Sequence, residues 1–241
     1  MQVPAWMTRT EVLIGEEKIQ KLAKSNVLVV GLGGVGGICA EMIARAGVGK
    51  MTIVDADVVE ASNRNRQIPA LVSTENKLKV DVMRDRILDI NPEIELNTIP
   101  EFIKDKRTVE ILESSSFDYV VDCIDTLSPK VFFIKLCVEK KIPLISSMGA
   151  GGKFDPTRIE VVDIADTYQC NLAKYVRKRL RKYGIPSGFK VVFSPEEADQ
   201  DRIFESPKAF PKKSVIGTIS YMPAAFGITC ASVVIRDLLE A

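Results

Sequence analysis

Short apolar runs alternate with amphipathic stretches along the first two thirds of the chain. Residues 27–30 form a continuous apolar, largely β-branched run between Asn26 and Gly31, the pattern of a strand buried on both faces of a parallel sheet. Similar runs predict strands at 51–54, 94–99, 119–122 and 144–147. Helical spacing of apolar residues predicts a lead-in helix over 11–23, through Leu13, Ile14, Ile19 and Leu22, and further helices over 38–46, 77–90 and 131–140. Strand and helix in alternation imply right-handed crossovers, so the fold class is α/β: a Rossmann-like, doubly wound, mostly parallel sheet with helices on both faces. Ligands of such sheets bind beyond the carboxyl ends of the strands.

The last third is less regular. It reads as a strand over 158–164, a basic helix over 172–183, a strand over 189–193, a loop over 194–214 with three prolines, and a core helix over 221–239 with Pro223 in its first turn. Two roles suit the 194–214 loop equally, a lid over a bound partner and a mobile surface loop. A length of 241 residues suits one large domain. The expected organisation is therefore a single unit, with a core at 25–150 and an elaboration at 151–241.

Composition narrows the chemistry. With 33 basic against 32 acidic residues, no global field advertises a nucleic acid or a membrane, so such a site must come from local clustering. Histidine is absent, which removes Ser/His/Asp and Cys/His nucleophile pairs and every histidine metal site. The five cysteines contain no CxxC pair, which argues against zinc and fits a reducing compartment with thiols used mainly in packing. The longest apolar stretch, 221–235, is 15 residues and holds Pro223 and Gly227, short of the about 20 that span a bilayer. No membrane span is expected. The opening MQVPAWMTRTE lacks the features of a signal peptide, so the cytoplasm is the expected location.

Gly31-x-Gly33-Gly34-x-Gly36 follows a predicted strand and opens a predicted helix, where glycines let backbone amides approach a phosphate at the positive helix end. Asp55 ends the second strand, where a carboxylate accepts hydrogen bonds from ribose hydroxyls. These two features fit NAD as well as ATP. The next stretch decides between them: Asp57, then Asn63, Arg66 and Gln67 in SNRNRQ, then Lys79, then Asp125 in VVDCID. Hydride transfer has little use for such cations beside a second carboxylate, whereas a nucleoside triphosphate needs cations on its phosphates and an acid on its Mg²⁺.

In this order of motifs the chain resembles the ubiquitin-activating-like (ThiF/MoeB) adenylyltransferase superfamily, over residues 9–150 or so. The resemblance implies that Gly31, Gly33, Gly34 and Gly36 line the ATP phosphates, that Asp55 holds the ribose, and that Asn63, Arg66 and Lys79 contact phosphates, with Asp57 and Gln67 in the same cofactor-binding set. Asp125 would hold Mg²⁺. Arg9, in RTEVLIGEEKI, matches a family arginine that enters the partner subunit's site, which implies a homodimer with Arg9, Arg66, Lys79 and Asp125 as the catalytic set.

The segment KKIPLISSMGAGGKFDPTRIEVVDI and the basic helix after it look like the tRNA threonylcarbamoyladenosine dehydratase family, a likeness that extends over essentially the whole chain. It implies ATP-dependent cyclisation of threonylcarbamoyladenosine in tRNA through an acyl-adenylate, with room for a monovalent cation and a sulfur-transfer partner protein. Lys174, Arg177, Lys178, Arg179, Arg181 and Lys182 would grip tRNA phosphates. Rival readings are an adenylyltransferase of a sulfur-carrier or ubiquitin-like protein and an NAD-dependent oxidoreductase.

Overall fold

The computed structural model describes residues 3–197, 203–205 and 214–240. Strand β1 (Asn26–Val30) is buried at every position and lies inside a seven-stranded sheet, flanked by β2 (Lys50–Val54) and β4 (Tyr119–Asp122), both parallel to it. Beyond β2 lies β3 (Glu95–Ile99). Beyond β4 lie β5 (Leu144–Ser147), β7 (Lys190–Phe193) and an edge strand β6 (Glu160–Asp163), the last antiparallel. The winding reverses between β1 and β4, which opens a crevice at their carboxyl ends.

Side chains alternate across the strands and divide between two cores. Val27 and Val29 of β1 pack with α3 (Gly36–Arg45), α4 (Lys79–Ile90) and α8 (Tyr221–Glu240) on one face. Leu28 and Val30 pack on the other face with α5 (Asp105–Glu113), α6 (Leu127–Glu139) and α7 (Asn171–Leu180). By length and composition α8 could cross a bilayer, but half of its apolar stretch is buried and it packs along α3. Its 20 residues exceed the 15-residue apolar run because the helix continues through Arg236 and Asp237.

Several expectations change. The lead-in helix is two helices, α1 (Thr8–Ile14) and α2 (Glu16–Lys24), because Gly15 takes φ +85°, a left-handed conformation that interrupts helical hydrogen bonding. Helix α5 was not foreseen in a polar stretch. The 194–214 segment is not all loop: β8 (Ile203–Glu205) and β9 (Ser214–Ile216) form an antiparallel hairpin, with the intervening residues outside the described set.

Candidate active site

Three strand ends build the cavity floor. After β1 the chain turns at Gly31, with φ +89°, and the Gly31 N–H donates to the Val54 carbonyl at 2.8 Å. A Cβ on Gly31 would sit 2.8 Å from the Cys123 carbonyl oxygen, and one on Gly36 only 1.7 Å from the Gly31 carbonyl oxygen. The glycines therefore close the turn against β4 and aim the amino end of α3, with its partial positive charge, into the crevice.

On that crevice opens a cavity of about 650 Å³ lined by Gly31, Gly33, Asp55, Asp57, Asn63, Arg66, Gln67, Lys79 and Asp125. Nine residues singled out in the sequence thus meet around one space. Asp55 accepts the Leu32 N–H at 2.6 Å on one oxygen and the Asp57 N–H at 2.8 Å on the other. Burial raises its pKa above the ordinary aspartate value; Lys79 and the two N–H donors pull it down and offset only part of that rise. Lys79 is buried, at 4% exposure, with its Nζ 2.8 Å from an oxygen of exposed Asp57.

The SNRNRQ loop folds as a short 3-10 turn (Ala61–Asn63) in which buried Asn63 accepts the Glu60 N–H at 3.2 Å. Arg66 donates to the Ser62 carbonyl at 3.0 Å and to Asn65 Oδ1 at 2.7 Å and forms no ion pair with the described residues. The buried Gln67 Oε1 has no hydrogen-bond partner among the described residues, an acceptor facing a site that can supply a donor.

The remaining expected site residues lie elsewhere. Gly34 and Gly36 do not line the cavity: a Cβ on Gly34 would lie 2.7 Å from Cβ of Pro223, so both are packing glycines behind the wall. Arg9 is exposed on α1, outside the cavity of its own chain. Lys174 and Lys178 on α7 and Arg181 and Lys182 in the 3-10 turn after it are exposed, but Arg177 is half-buried and donates to the Thr167 carbonyl at 2.7 Å and to the Thr167 hydroxyl. Arg179 donates to Ser128 Oγ at 2.7 Å.

The sequence reading missed part of the wall. Glu101, Phe102 and Ile103 line it after β3, and Ile124, Thr126 and Pro129 line it after β4. The signal was an apolar pair, Phe102–Ile103, in a polar run just past a strand end. Cys123 also lines the cavity, yet burial pushes its thiol well above the usual value, and burial pushes Cys230 up to about 12. Both stay protonated at neutral pH, which leaves Cys230 poorly suited to thioester chemistry.

A glycine turn, a carboxylate at the end of β2 and cationic and acidic side chains gathered at the switch point of a doubly wound sheet define a nucleotide-binding α/β protein. The ThiF family pattern matches residues 8–241. A tRNA threonylcarbamoyladenosine dehydratase of Bacillus subtilis is 41% identical, covering 97% of this chain and 94% of its own length. The crystal structure of the Escherichia coli dehydratase TcdA in complex with ATP superposes with a TM-score of 0.89 at 35% identity, covering 100% of this chain and 97% of that one. By contrast, a Haemophilus influenzae molybdopterin-synthase adenylyltransferase, 36% identical, matches 53% of this chain and 51% of its own. The chain belongs to the ThiF family and, within it, to the tRNA threonylcarbamoyladenosine dehydratases.

Proposed function

We infer that the chain is an ATP-dependent tRNA threonylcarbamoyladenosine dehydratase. The observation that carries this reading is the single cavity in which Gly31, Gly33, Arg66 and Lys79 face Asp55 and Asp125. Full-length similarity to dehydratases, one of them solved with ATP and also with AMP, supports it.

A carboxylate holds its oxygen poorly disposed to leave. In the proposed reaction a threonyl carboxylate oxygen attacks the α-phosphorus of ATP, the bond to the bridging oxygen of the β-phosphate breaks, and pyrophosphate departs. The ureido group of the same modification, tethered close by, then attacks the carboxyl carbon, loses its proton and expels AMP. Tethering gives that attack a high effective concentration, so no enzyme nucleophile is needed. Asp55 accepts the ribose hydroxyls, the amides of the glycine turn and Asn63 orient the phosphates, and Arg66 and Lys79 stabilise negative charge developing around the α-phosphorus. Arg9 of a second subunit would reach the same phosphates, and its planar fork suits bidentate contact.

The donor set fits Mg²⁺. Among the described residues no three His, Cys, Asp or Glu side chains group to hold a metal alone. Mg²⁺ needs only one or two carboxylates when phosphate oxygens and water complete its octahedron, and Asp125 provides one at the cavity wall. Bound there, the ion would neutralise phosphate charge. Zinc is not part of the proposal. The exposed cations of α7 and of the turn after it are proposed to hold the tRNA backbone, and the cytoplasm is the proposed location of the reaction.

Incubation with ATP, Mg²⁺ and tRNA bearing the open modification is expected to yield a nucleoside lighter by one water, with one AMP formed per cyclisation. Pyrophosphate exchange driven instead by a small protein with a Gly-Gly tail, and not by modified tRNA, would overturn the reading in favour of a carrier-protein adenylyltransferase.

A further inference from the structure

Two fully buried charges meet just beneath the cavity. Asp122 ends β4 and Lys130 lies near the start of α6; both side chains are wholly buried, with Nζ 2.8 Å from Oδ2. Ser146 of β5 donates to that same oxygen at 2.6 Å. The other Asp122 oxygen accepts the Ile124 N–H at 3.0 Å, while Lys130 Nζ donates to the Ile124 carbonyl at 3.0 Å. Ile124 is thus gripped at both its N–H and its carbonyl by two side chains that also grip each other.

Stability does not explain this arrangement, because a buried ion pair is often no better for folding than a well-packed apolar pair of similar volume. Its bonds converge on a turn whose members, Cys123 through Thr126, form the cavity wall. Asp122, Lys130 and Ser146 themselves do not line the cavity.

We propose that the Asp122–Lys130 pair, completed by Ser146, positions Asp125, fixing the turn after β4 so that the Asp125 carboxylate faces the nucleotide phosphates and their metal ion. Asp122 and Lys130 are positioning residues, and the proposal rests on the reading of Asp125 as the metal-holding carboxylate. The buried charges do not take part in the reaction. They tie the backbone that precedes Asp125 to the sheet and to α6, so that its side chain is placed before nucleotide arrives.

The test is the double variant Asp122→Asn/Lys130→Met, which removes both charges and strands neither. Its unfolding midpoint is expected to stay near that of the unmodified protein. Calorimetry is expected to show unchanged AMP affinity without Mg²⁺, while the gain in ATP affinity on adding Mg²⁺ shrinks by about tenfold or more, the usual cost of losing support behind a metal ligand. A folded double variant with the full Mg²⁺ gain overturns the proposal. Should that variant not fold, Ser146→Ala loosens the pair while leaving its charges matched; a smaller Mg²⁺ gain then supports the proposal and an unaltered one overturns it. Asp125→Asn, measured alongside, separates the two readings. If Asp125→Asn keeps the full Mg²⁺ gain, both readings fall; if it loses the gain while the double variant keeps it, the positioning role alone falls.

Discussion

Side chains added at Gly33 and at Gly36 would fail for different reasons. A Cβ on Gly33 meets nothing closer than Gln67 Nε2 at 3.8 Å, an ordinary contact, but Gly33 lines the cavity where the proposed phosphates would meet the amides of the turn. Gly33→Ala is therefore expected to unfold at the normal temperature and to bind ATP about tenfold or more weakly, as one hydrogen bond to a charged group is worth about 1.5–3 kcal/mol. Gly36→Ala drives its methyl into the Gly31 carbonyl and is expected to cost about 3 kcal/mol or more of folding stability, the upper range for overpacking. Thermal unfolding with and without ATP distinguishes the two, and equal destabilisation by both would contradict the division of roles. This division was not legible in the sequence, which presents four equivalent glycines. Asp55, Arg66 and Asp125 were legible because each follows a strand or turn at a fixed spacing. Lys130 was not, since nothing local distinguishes a lysine buried against Asp122 from one on the solvated face of an amphipathic helix.

At the scale of elements, legibility tracks how completely a segment is buried. Strands β1, β2, β4 and β5 read as near-continuous apolar runs and fall within a residue of their expected bounds. Helix α5 (DKRTVEILE) escaped because it buries only Thr108, Ile111 and Leu112 in a charged stretch. Helix α7 was legible as a basic helix, but the sequence could not sort its cations. Lys174 and Lys178 recur at helical spacing, Arg181 and Lys182 continue them through a 3-10 turn (Arg181–Tyr183), and none of the four pairs with a described residue. Arg177 instead ties α7 to Thr167, and Arg179 ties it to Ser128 at the start of α6. Charge reversal at Lys178, Arg181 and Lys182 is thus expected to weaken tRNA binding and to flatten its salt dependence by about 0.7–0.9 log units per cation removed, with ATP affinity intact. Filter binding across a salt series checks this, and an unchanged slope would return the helix to a solvated face. Arg177→Glu is expected to lower the unfolding midpoint instead.

At the scale of the molecule, the cavity lacks one member of its expected catalytic set. Arg9 is exposed on α1, away from its own chain's cavity, and the same short helix presents Val12 and Leu13 at 86% and 82% exposure. Neighbouring apolar side chains this exposed beside an arginine that forms no ion pair among the described residues suit a surface that a second copy covers. In a twofold dimer each arginine would then enter the other subunit's site, and the two sites would be equivalent. A heterodimer of an Arg9→Ala chain and an Asp125→Ala chain makes the consequence measurable. The site built on the Arg9→Ala chain keeps its own Asp125 and receives Arg9 from its partner, so it works; the other site lacks both groups. Purified heterodimers should therefore recover about half of the normal activity while either homodimer stays inactive. If Arg9 served its own chain, each chain of the heterodimer would carry one lethal defect and no activity would return.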